Sequence, residues 1–245
     1  MKLGFIGTGA ITSAIVTGLS SPPDAGDPIL VSPRNPQIAA DLAARFPGVS
    51  VAASNQAVLD WCDTVLIAVR PQIARGVLAE LTFHPRHHVV SLVSGLSVRQ
   101  LSALVAPSVR ITRAVPLPST ANRQGSTAVF PGDRNVLDLF AKLGAAFATT
   151  SEGEFEALCA ATATIASYLA FAGTIASWLE RHGVQPAQAR DYLARMFGGL
   201  NIAAPSGGHA TRGGTNEQLL AHLNDCGVFT SLSDGLDAIL RRIAP

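Results

Sequence analysis

The stretch Lys2–Leu19, with the sequence KLGFIGTGAITSAIVTGL, decides the fold of this chain. Its apolar first residues predict a buried β-strand, and the apolar spacing after Thr12 predicts a helix. Between them lies Gly7-x-Gly9-x-x-Thr12, a dinucleotide-binding fingerprint whose third glycine is replaced. Gly7 permits a tight turn, Gly9 lets a pyrophosphate approach the backbone, and the helix N-terminus offers unpaired N–H groups. A tight turn without a ligand is the alternative interpretation.

Short apolar runs and longer helical patterns continue to alternate as far as residue 150. Such a series, with continuous apolar strands, is typical of a parallel sheet covered by helices on both faces. We therefore expect an α/β fold in which residues 1–150 form a doubly wound Rossmann domain that binds a dinucleotide. The predicted strands are Leu3–Ile6, Ile29–Val31, Val65–Val69, His88–Val93 and Val109–Ala114, then one or two near Ser126–Phe130 and Ala145–Thr149.

Helical patterns alone follow residue 151, so residues 151–245 are expected to form an all-helical domain. The pattern predicts one long helix over Glu152–Arg181 and three more over Pro186–Asn201, Thr215–Asn224 and Leu232–Ile243. The apolar stretch Ala157–Leu179 contains many small polar residues, which favours helix packing over a membrane span.

Composition excludes several classes of protein. Of the 245 residues, 48% are hydrophobic and 14% charged, which excludes intrinsic disorder. The net charge of +1 is too close to neutral for a nucleic-acid or membrane-surface protein, so neither partner is expected. Three cysteines without CxxC spacing predict a reduced, cytoplasmic compartment, and no metal site is expected.

The segment after the second predicted strand selects the cofactor. NAD enzymes usually carry Asp or Glu there to bind the ribose 2′-hydroxyl. This chain has Ser32-Pro33-Arg34-Asn35, and a hydroxyl with a guanidinium suits a 2′-phosphate instead. The sequence therefore predicts NADP(H) as the cofactor. The alternative is that Arg34 is a solvated loop residue with no ligand.

Two further segments include the carboxyl ends of predicted strands, at the edge where α/β sheets bind ligands. They are Val65–Gln72 and Ser91–Gly95, and ordinary strand-end turns would explain either segment equally well.

With these residues identified, the chain resembles the pyrroline-5-carboxylate reductase family over nearly its whole length. The resemblance implies a Rossmann domain followed by a helical dimerisation domain, and an NADPH-preferring reduction of a cyclic imine to proline, although some members use NADH. The matching pieces, in order, are GFIGTGAITSAI, VSPRN, SNQAV, DTVLIAVRPQ, VVSLVSGLS, ITRAVP, GSTAV and TRGGTNEQLLAHL.

The resemblance also implies which residues bind the cofactor. The pyrophosphate would meet the glycine turn, the 2′-phosphate would meet the segment after the second strand, and Asn55 would contact the adenine-side ribose. The nicotinamide half would lie along Val69, Arg70 and Pro71. The full set is Gly7, Thr8, Gly9, Ala10, Ile11, Ser32, Arg34, Asn35, Asn55, Ala68, Val69, Arg70 and Pro71.

The family's substrate loop, with the pattern S-P-G-G-T/A-T, falls on Thr211–Asn216. Glycines before a helix present N–H donors to a carboxylate, so Gly213 and Gly214 are the predicted substrate-binding residues. The predicted catalytic residues are Thr211, Thr215 and Asn216. The alternative is a glycine-containing linker in which Thr215 caps the last amphipathic helix.

The substrate features depart from the family pattern while the cofactor features are retained. Asn216 replaces the family's last Thr, and Arg212 replaces its Pro and adds a positive charge. The family's M-P-N-T-P segment is Val115-Pro116-Leu117-Pro118, and its G-S-G-P-A-Y segment is Ala163–Tyr168. This pattern fits a related reductase with another substrate or a divergent proline-forming enzyme.

The side-chain inventory favours an imine over a ketone. Hydride transfer to a protonated C=N bond needs alignment and one polar contact, whereas a ketone needs a proton donor. The related β-hydroxyacid dehydrogenases use a lysine in the second domain, and residues 151–245 contain none. His209 is the remaining candidate acid for a carbonyl substrate.

The expected protein is thus an NADP(H)-dependent reductase of a C=N bond, with pyrroline-5-carboxylate as its substrate and a homodimer formed through residues 151–245. We expect the site in a cleft between domains and, in the dimer, between chains. The alternatives are reduction of another imine or carbonyl, and a non-catalytic NADP(H)-binding regulatory protein.

Overall fold

The computed structural model describes residues 1–21, 26–107 and 109–244. Backbone contacts divide the chain into two compact units. The first, here called the sheet unit, is Met1–Cys159 with Arg242–Pro245; the second, here called the helical unit, is Ala160–Arg241. The division of functions at residue 150 stays a prediction.

The sheet unit contains one eight-stranded sheet in the order β3-β2-β1-β4-β5-β6-β7-β8. All neighbouring strands pair in parallel except β6 and β7, which are antiparallel. The order reverses direction at β1, which is the doubly wound topology expected from the sequence. The strands are β1 Leu3–Ile6, β2 Ile29–Val31, β3 Val49–Val51, β4 Thr64–Ile67, β5 His88–Ser91, β6 Arg110–Val115, β7 Gly125–Phe130 and β8 Gly144–Ala148.

The helices of the sheet unit alternate with its strands along the chain and cover the sheet. Several of them begin at a capping side chain. At the start of α5, for example, the Ser97 hydroxyl accepts from Gln100 N–H while the Gln100 side chain accepts from Ser97 N–H. The helices are α1 Ala10–Ser20, α2 Pro36–Arg45, α3 Asn55–Trp61, α4 Pro71–Ala79, α5 Val98–Leu104, α6 Arg134–Ala141 and α7 Glu152–Ala161.

The two faces of the sheet pack into separate apolar clusters. Phe5 and Leu66 belong to one cluster, whereas their neighbours Ile6 and Ile67 belong to the other. Because successive strand residues point to opposite faces, burial on both sides requires the continuous apolar runs seen in the sequence.

A buried ion-pair cluster joins strand β6 to helix α7. The side chain of Arg113 is only 1% exposed, and its Nη1 donates to Glu152 at 2.8 Å and to Glu156 at 2.5 Å. The guanidinium also lies 4.5 Å from the ring centre of Phe155. Helix α7 is therefore fixed to the sheet by charge as well as by apolar packing.

The helical unit differs from the sequence expectation at its start. The single helix predicted over Glu152–Arg181 is wrong, because a turn at residues 162–163 separates α7 from α8, Thr164–Arg181. The other helices are α9 Pro186–Gly198, α10 Thr215–Asp225 and α11 Val228–Ile243, whose last residues return to the sheet unit. Glu152–Arg181 is long enough and apolar enough (mean hydropathy 1.6) to cross a membrane, but the turn at residues 162–163 divides it into two shorter helices.

Candidate functional site

A cavity of about 360 Å³ opens at the carboxyl ends of β1, β2 and β4. This edge, next to the reversal of strand order, is where doubly wound sheets bind ligands. Eight of the thirteen predicted cofactor residues line it. The lining residues are Gly7, Thr8, Gly9, Arg34, Asn35, Pro36, Ala68, Val69, Arg70 and Ile73.

The other five predicted cofactor residues do not line the cavity. Ala10 and Ile11 form the first turn of α1, and Pro71 begins α4 directly after Arg70. Ser32 lies buried beneath the glycine turn, and Asn55 is the half-buried first residue of α3.

The two glycines of the first turn have different surroundings. Gly7 has a φ of 98°, and a Cβ there would lie 2.5 Å from the carbonyl oxygen of Ala68. A Cβ on Gly9 would meet no heavy atom within 4 Å, so the backbone at this position borders open space. Gly7 thus allows β1 and β4 to end close together, and Gly9 leaves room for a ligand.

Ser32 supports this turn instead of facing the cavity. Its Oγ accepts a hydrogen bond from Gly7 N–H at 2.9 Å, and its carbonyl accepts from the Thr8 hydroxyl at 2.6 Å. The side chain of Ser32 is fully buried. The hydroxyl predicted to bind a 2′-phosphate therefore fixes the glycine turn to the end of β2.

Thr12, which replaces the third glycine of the fingerprint, is also buried. Its hydroxyl donates to the carbonyl of Gly7 at 2.6 Å. The side chain that replaces the third glycine therefore stabilises the turn. The hydroxyl in place of glycine was the signal in the sequence for this contact.

Arg34 and Arg70 provide positive charge at the cavity. Both side chains are exposed, and neither forms an ion pair within the described ranges. Asn35 is the N-cap of α2, with its Oδ1 accepting from Ile38 N–H at 3.4 Å, so Arg34 lies one residue before the N-cap. Among the described residues, two guanidinium groups and no carboxylate line the cavity, so it suits an anionic ligand.

The predicted substrate segment lies in the helical unit. Gly213 has a φ of 74°, Gly214 is the N-cap of α10, and Thr215 is its first residue. Gly214 N–H donates to the carbonyl of Thr211 at 2.8 Å, and Asn216 Nδ2 donates to the carbonyl of His209 at 2.9 Å. The segment therefore brings all five predicted residues into one turn, and Thr215 does not act as the cap.

Three further features were missed by sequence reasoning. Arg113, with its two carboxylate partners, supports the end of β6 that leads to Val115-Pro116-Leu117. Glu217 accepts a hydrogen bond from Gly213 N–H in the substrate segment. A groove of about 790 Å³ between α8, α10 and α11 is lined mainly by apolar side chains, including Tyr168, Phe171 and Phe229. No group of three or more potential metal ligands occurs among the residues that the structure describes.

Comparison with known proteins agrees with this arrangement. A family model described as NADP oxidoreductase coenzyme F420-dependent matches residues 2–95. The pyrroline-5-carboxylate reductase of Escherichia coli (strain K12) is 34% identical over 133 residues, which are 53% of this chain and 49% of that protein. Pyrroline-5-carboxylate reductase 3 of Rattus norvegicus is 29% identical over 119 residues, 47% of this chain and 42% of that one. The chain thus spans about half the length of the curated relatives it matches.

The solved structures extend the likeness to the whole chain. A 1-pyrroline-5-carboxylate reductase from Streptococcus pyogenes has a TM-score of 0.86 and 25% identity, covering 99% of this chain and 98% of that one. The NADP-bound pyrroline carboxylate reductase of Plasmodium falciparum has a TM-score of 0.80 and 17% identity, covering 99% and 96%, and shares the fold. In its sequence matches and in its fold along the whole chain, the protein is similar to pyrroline-5-carboxylate reductases.

Proposed function

We propose that this protein is an NADP(H)-dependent reductase of C=N bonds and that its substrate is pyrroline-5-carboxylate, which it reduces to proline. The cavity at the glycine turn is the observation that carries the proposal, because its described lining combines an open backbone approach with two arginines that form no ion pair there, and includes no carboxylate. The family relatives are named for the same reaction.

The cofactor would be held mainly by backbone and by Arg34. The pyrophosphate would lie against Gly9 and the first turn of α1, whose unpaired N–H groups favour anions. Arg34 would pair with the 2′-phosphate, since the end of β2 carries no acid to bind a free ribose hydroxyl. Arg70, with Ala68 and Val69, would border the nicotinamide half.

NADPH supplies a hydride to the imine carbon, and the protonated imine nitrogen keeps its proton in the product amine. The chain therefore needs to align the imine and to contact its nitrogen. Asn216 uses its Nδ2 to bind the His209 carbonyl, and its Oδ1 would accept a hydrogen bond from the imine N–H. The hydroxyls of Thr211 and Thr215 and the backbone of Gly213 and Gly214 complete the proposed substrate contacts.

We also propose a homodimer formed through residues 151–245. The accessible surface is 13611 Å², whereas a folded monomer of 25.4 kDa is expected to expose about 10,300 Å². Much of the exposed apolar surface lies in the helical unit, where Tyr168, Leu169, Trp178 and Tyr192 are each at least half exposed. A second copy would cover such an area, since stable homodimers bury 2,000 Å² or more.

The state of the cysteines supports a cytoplasmic location. None of the three forms a disulfide in the described part of the chain, and burial raises the pKa of Cys62 and of Cys159 to about 12. Buried thiols of this kind are unreactive, and a reducing compartment keeps them so.

The test is NADPH oxidation followed at 340 nm with a panel of cyclic imines and keto acids. We expect oxidation with pyrroline-5-carboxylate and formation of proline. Oxidation only with a keto acid would point to a carbonyl reductase that uses His209. Tight NADPH binding without oxidation by any substrate would point to a regulatory nucleotide-binding protein.

A further inference from the structure

The glycine turn before α10 already holds a carboxylate, and that carboxylate belongs to the chain. Gly213 N–H donates to Oε2 of Glu217 at 2.7 Å. Glu217 is the third residue of α10 and is exposed, as is Gly213. An acidic side chain here is also favoured by the positive end of the helix dipole.

The neighbouring donors of the turn are engaged as well. Gly214 N–H donates to the Thr211 carbonyl, and Asn216 Nδ2 donates to the His209 carbonyl. Under the proposed function this turn receives the substrate carboxylate. Such a carboxylate would therefore meet a donor that Glu217 has already taken.

The charge of Glu217 is not neutralised by a nearby cation. Arg212 lies next to Gly213 in the chain, but neither Arg212 nor Glu217 takes part in an ion pair in the described part of the chain. A second carboxylate that approached the turn would meet a like charge as well as an occupied donor.

We infer that Glu217 is a specificity-determining residue that lowers the affinity of the site for carboxylate-bearing imines relative to ring imines without a carboxylate. This inference rests on the proposed function and deepens it. An imine without a carboxylate does not compete for Gly213 N–H, and its protonated nitrogen carries the charge opposite to that of Glu217. Because interactions between exposed charges are modest, the expected discrimination is about fivefold.

The experiment compares wild type with Glu217→Gln and Glu217→Ala, using pyrroline-5-carboxylate and 1-pyrroline as substrates and saturating NADPH. Glu217→Gln removes the charge and keeps an oxygen acceptor for Gly213 N–H, whereas Glu217→Ala removes both. We expect KM for pyrroline-5-carboxylate to fall about fivefold in Glu217→Ala and by a smaller factor in Glu217→Gln. For both variants, kcat should stay within twofold of wild type, and KM for 1-pyrroline should be unchanged or higher.

Asp225→Asn is the matched control, because Asp225 is the last residue of the same helix and the charge change is identical. It should leave the ratio of kcat/KM for the two imines unchanged. Circular dichroism and NADPH titration will show that each variant is folded and binds cofactor.

An unchanged ratio in both Glu217 variants, with pyrroline-5-carboxylate still reduced, would overturn the inference alone. So would equal changes in KM for the two imines, which would indicate a general disturbance of the turn. If wild type and both variants reduce neither imine while binding NADPH, the proposed function fails and the inference fails with it.

Discussion

The side-chain oxygen of Thr12 lies 2.6 Å from the carbonyl oxygen of Gly7 and donates a hydrogen bond to it across the glycine turn. Thr12 occupies the place where the dinucleotide fingerprint has its third glycine. Because Gly7 N–H is bound in turn by Ser32, both polar groups of this glycine are fixed by buried side chains. The turn is thus held in shape before any ligand arrives.

Removing the Thr12 hydroxyl should destabilise the protein. Thr12→Val keeps the shape of the side chain but leaves the Gly7 carbonyl without this donor, which costs about 1–3 kcal/mol. Thr12→Ser keeps the hydroxyl and should lose less. Urea unfolding followed by circular dichroism measures both variants, and equal stability of Thr12→Val and wild type would show that the contact contributes nothing.

Arg34 should set the preference for NADPH over NADH. Arg34→Asp replaces the proposed partner of the 2′-phosphate with a like charge, so NADPH affinity should fall at least about tenfold, and NADH affinity should change much less. Arg134→Asp is the control, since Arg134 is exposed and lies outside the cavity lining. Fluorescence titration gives both dissociation constants, and an equal loss for the two cofactors would refute the role of Arg34.

The buried Arg113 cluster should respond strongly to the loss of one partner. Arg113→Met leaves the carboxylate of Glu156 buried without its cation, and breaking a buried pair of this kind costs roughly 3–5 kcal/mol. The double variant Arg113→Met with Glu156→Leu removes both charges and should recover more than half of that loss. Chemical denaturation compares the two proteins, and a double variant no more stable than the single one would contradict this account.

Two buried histidines should make stability fall below neutral pH. Burial lowers the pKa of His87 and of His88 below the ordinary value of 6.5. Nδ1 of His87 accepts from His84 N–H at 3.0 Å, so protonation there would break a hydrogen bond. The unfolded chain therefore binds more protons below pH 6.5, and the stability contributed by the neutral rings is lost as pH falls from 6.5.

Urea midpoints at pH 8.0, 6.5 and 5.0 measure this effect. The midpoint should change little between pH 8.0 and 6.5 and drop between pH 6.5 and 5.0. Lowered pKa values at Asp27 and Asp133 act only at more acidic pH, because the ordinary pKa of Asp is 3.8. His87→Gln should flatten the drop, and a drop of the same size in this variant would assign it to other groups.

The sheet and the cavity at the glycine turn were predictable because local sequence patterns determine them. Continuous apolar runs set the strands, and the glycine turn with Arg34 and Arg70 lies at strand ends, where the fold itself brings them together. Strand β3, Val49–Val51, was missed because it is three residues long and only its first residue is buried. A segment of three residues shows almost no alternation of apolar and polar side chains.

The features of the site that the sequence did not predict depend on which hydrogen-bond partner each polar side chain has in the folded chain. Ser32 and Arg34 lie two residues apart in a segment that was predicted to bind a phosphate. Ser32 is buried under the glycine turn, whereas Arg34 is exposed. Likewise, the apolar pattern of Glu152–Arg181 continues through the turn at residues 162–163, so periodicity alone did not reveal the break. Glu217 reads as an ordinary acid in a first helical turn, and only its contact with Gly213 N–H sets it apart.

Transfer of a labelled hydride tests the central claim most directly. NADPH carrying two deuterium atoms at the nicotinamide C4 is incubated with the protein and pyrroline-5-carboxylate, and the product is analysed by mass spectrometry. The account predicts proline one mass unit heavier than the unlabelled compound, formed in equal amount to the NADPH oxidised. Absence of proline, or proline without deuterium, would contradict it.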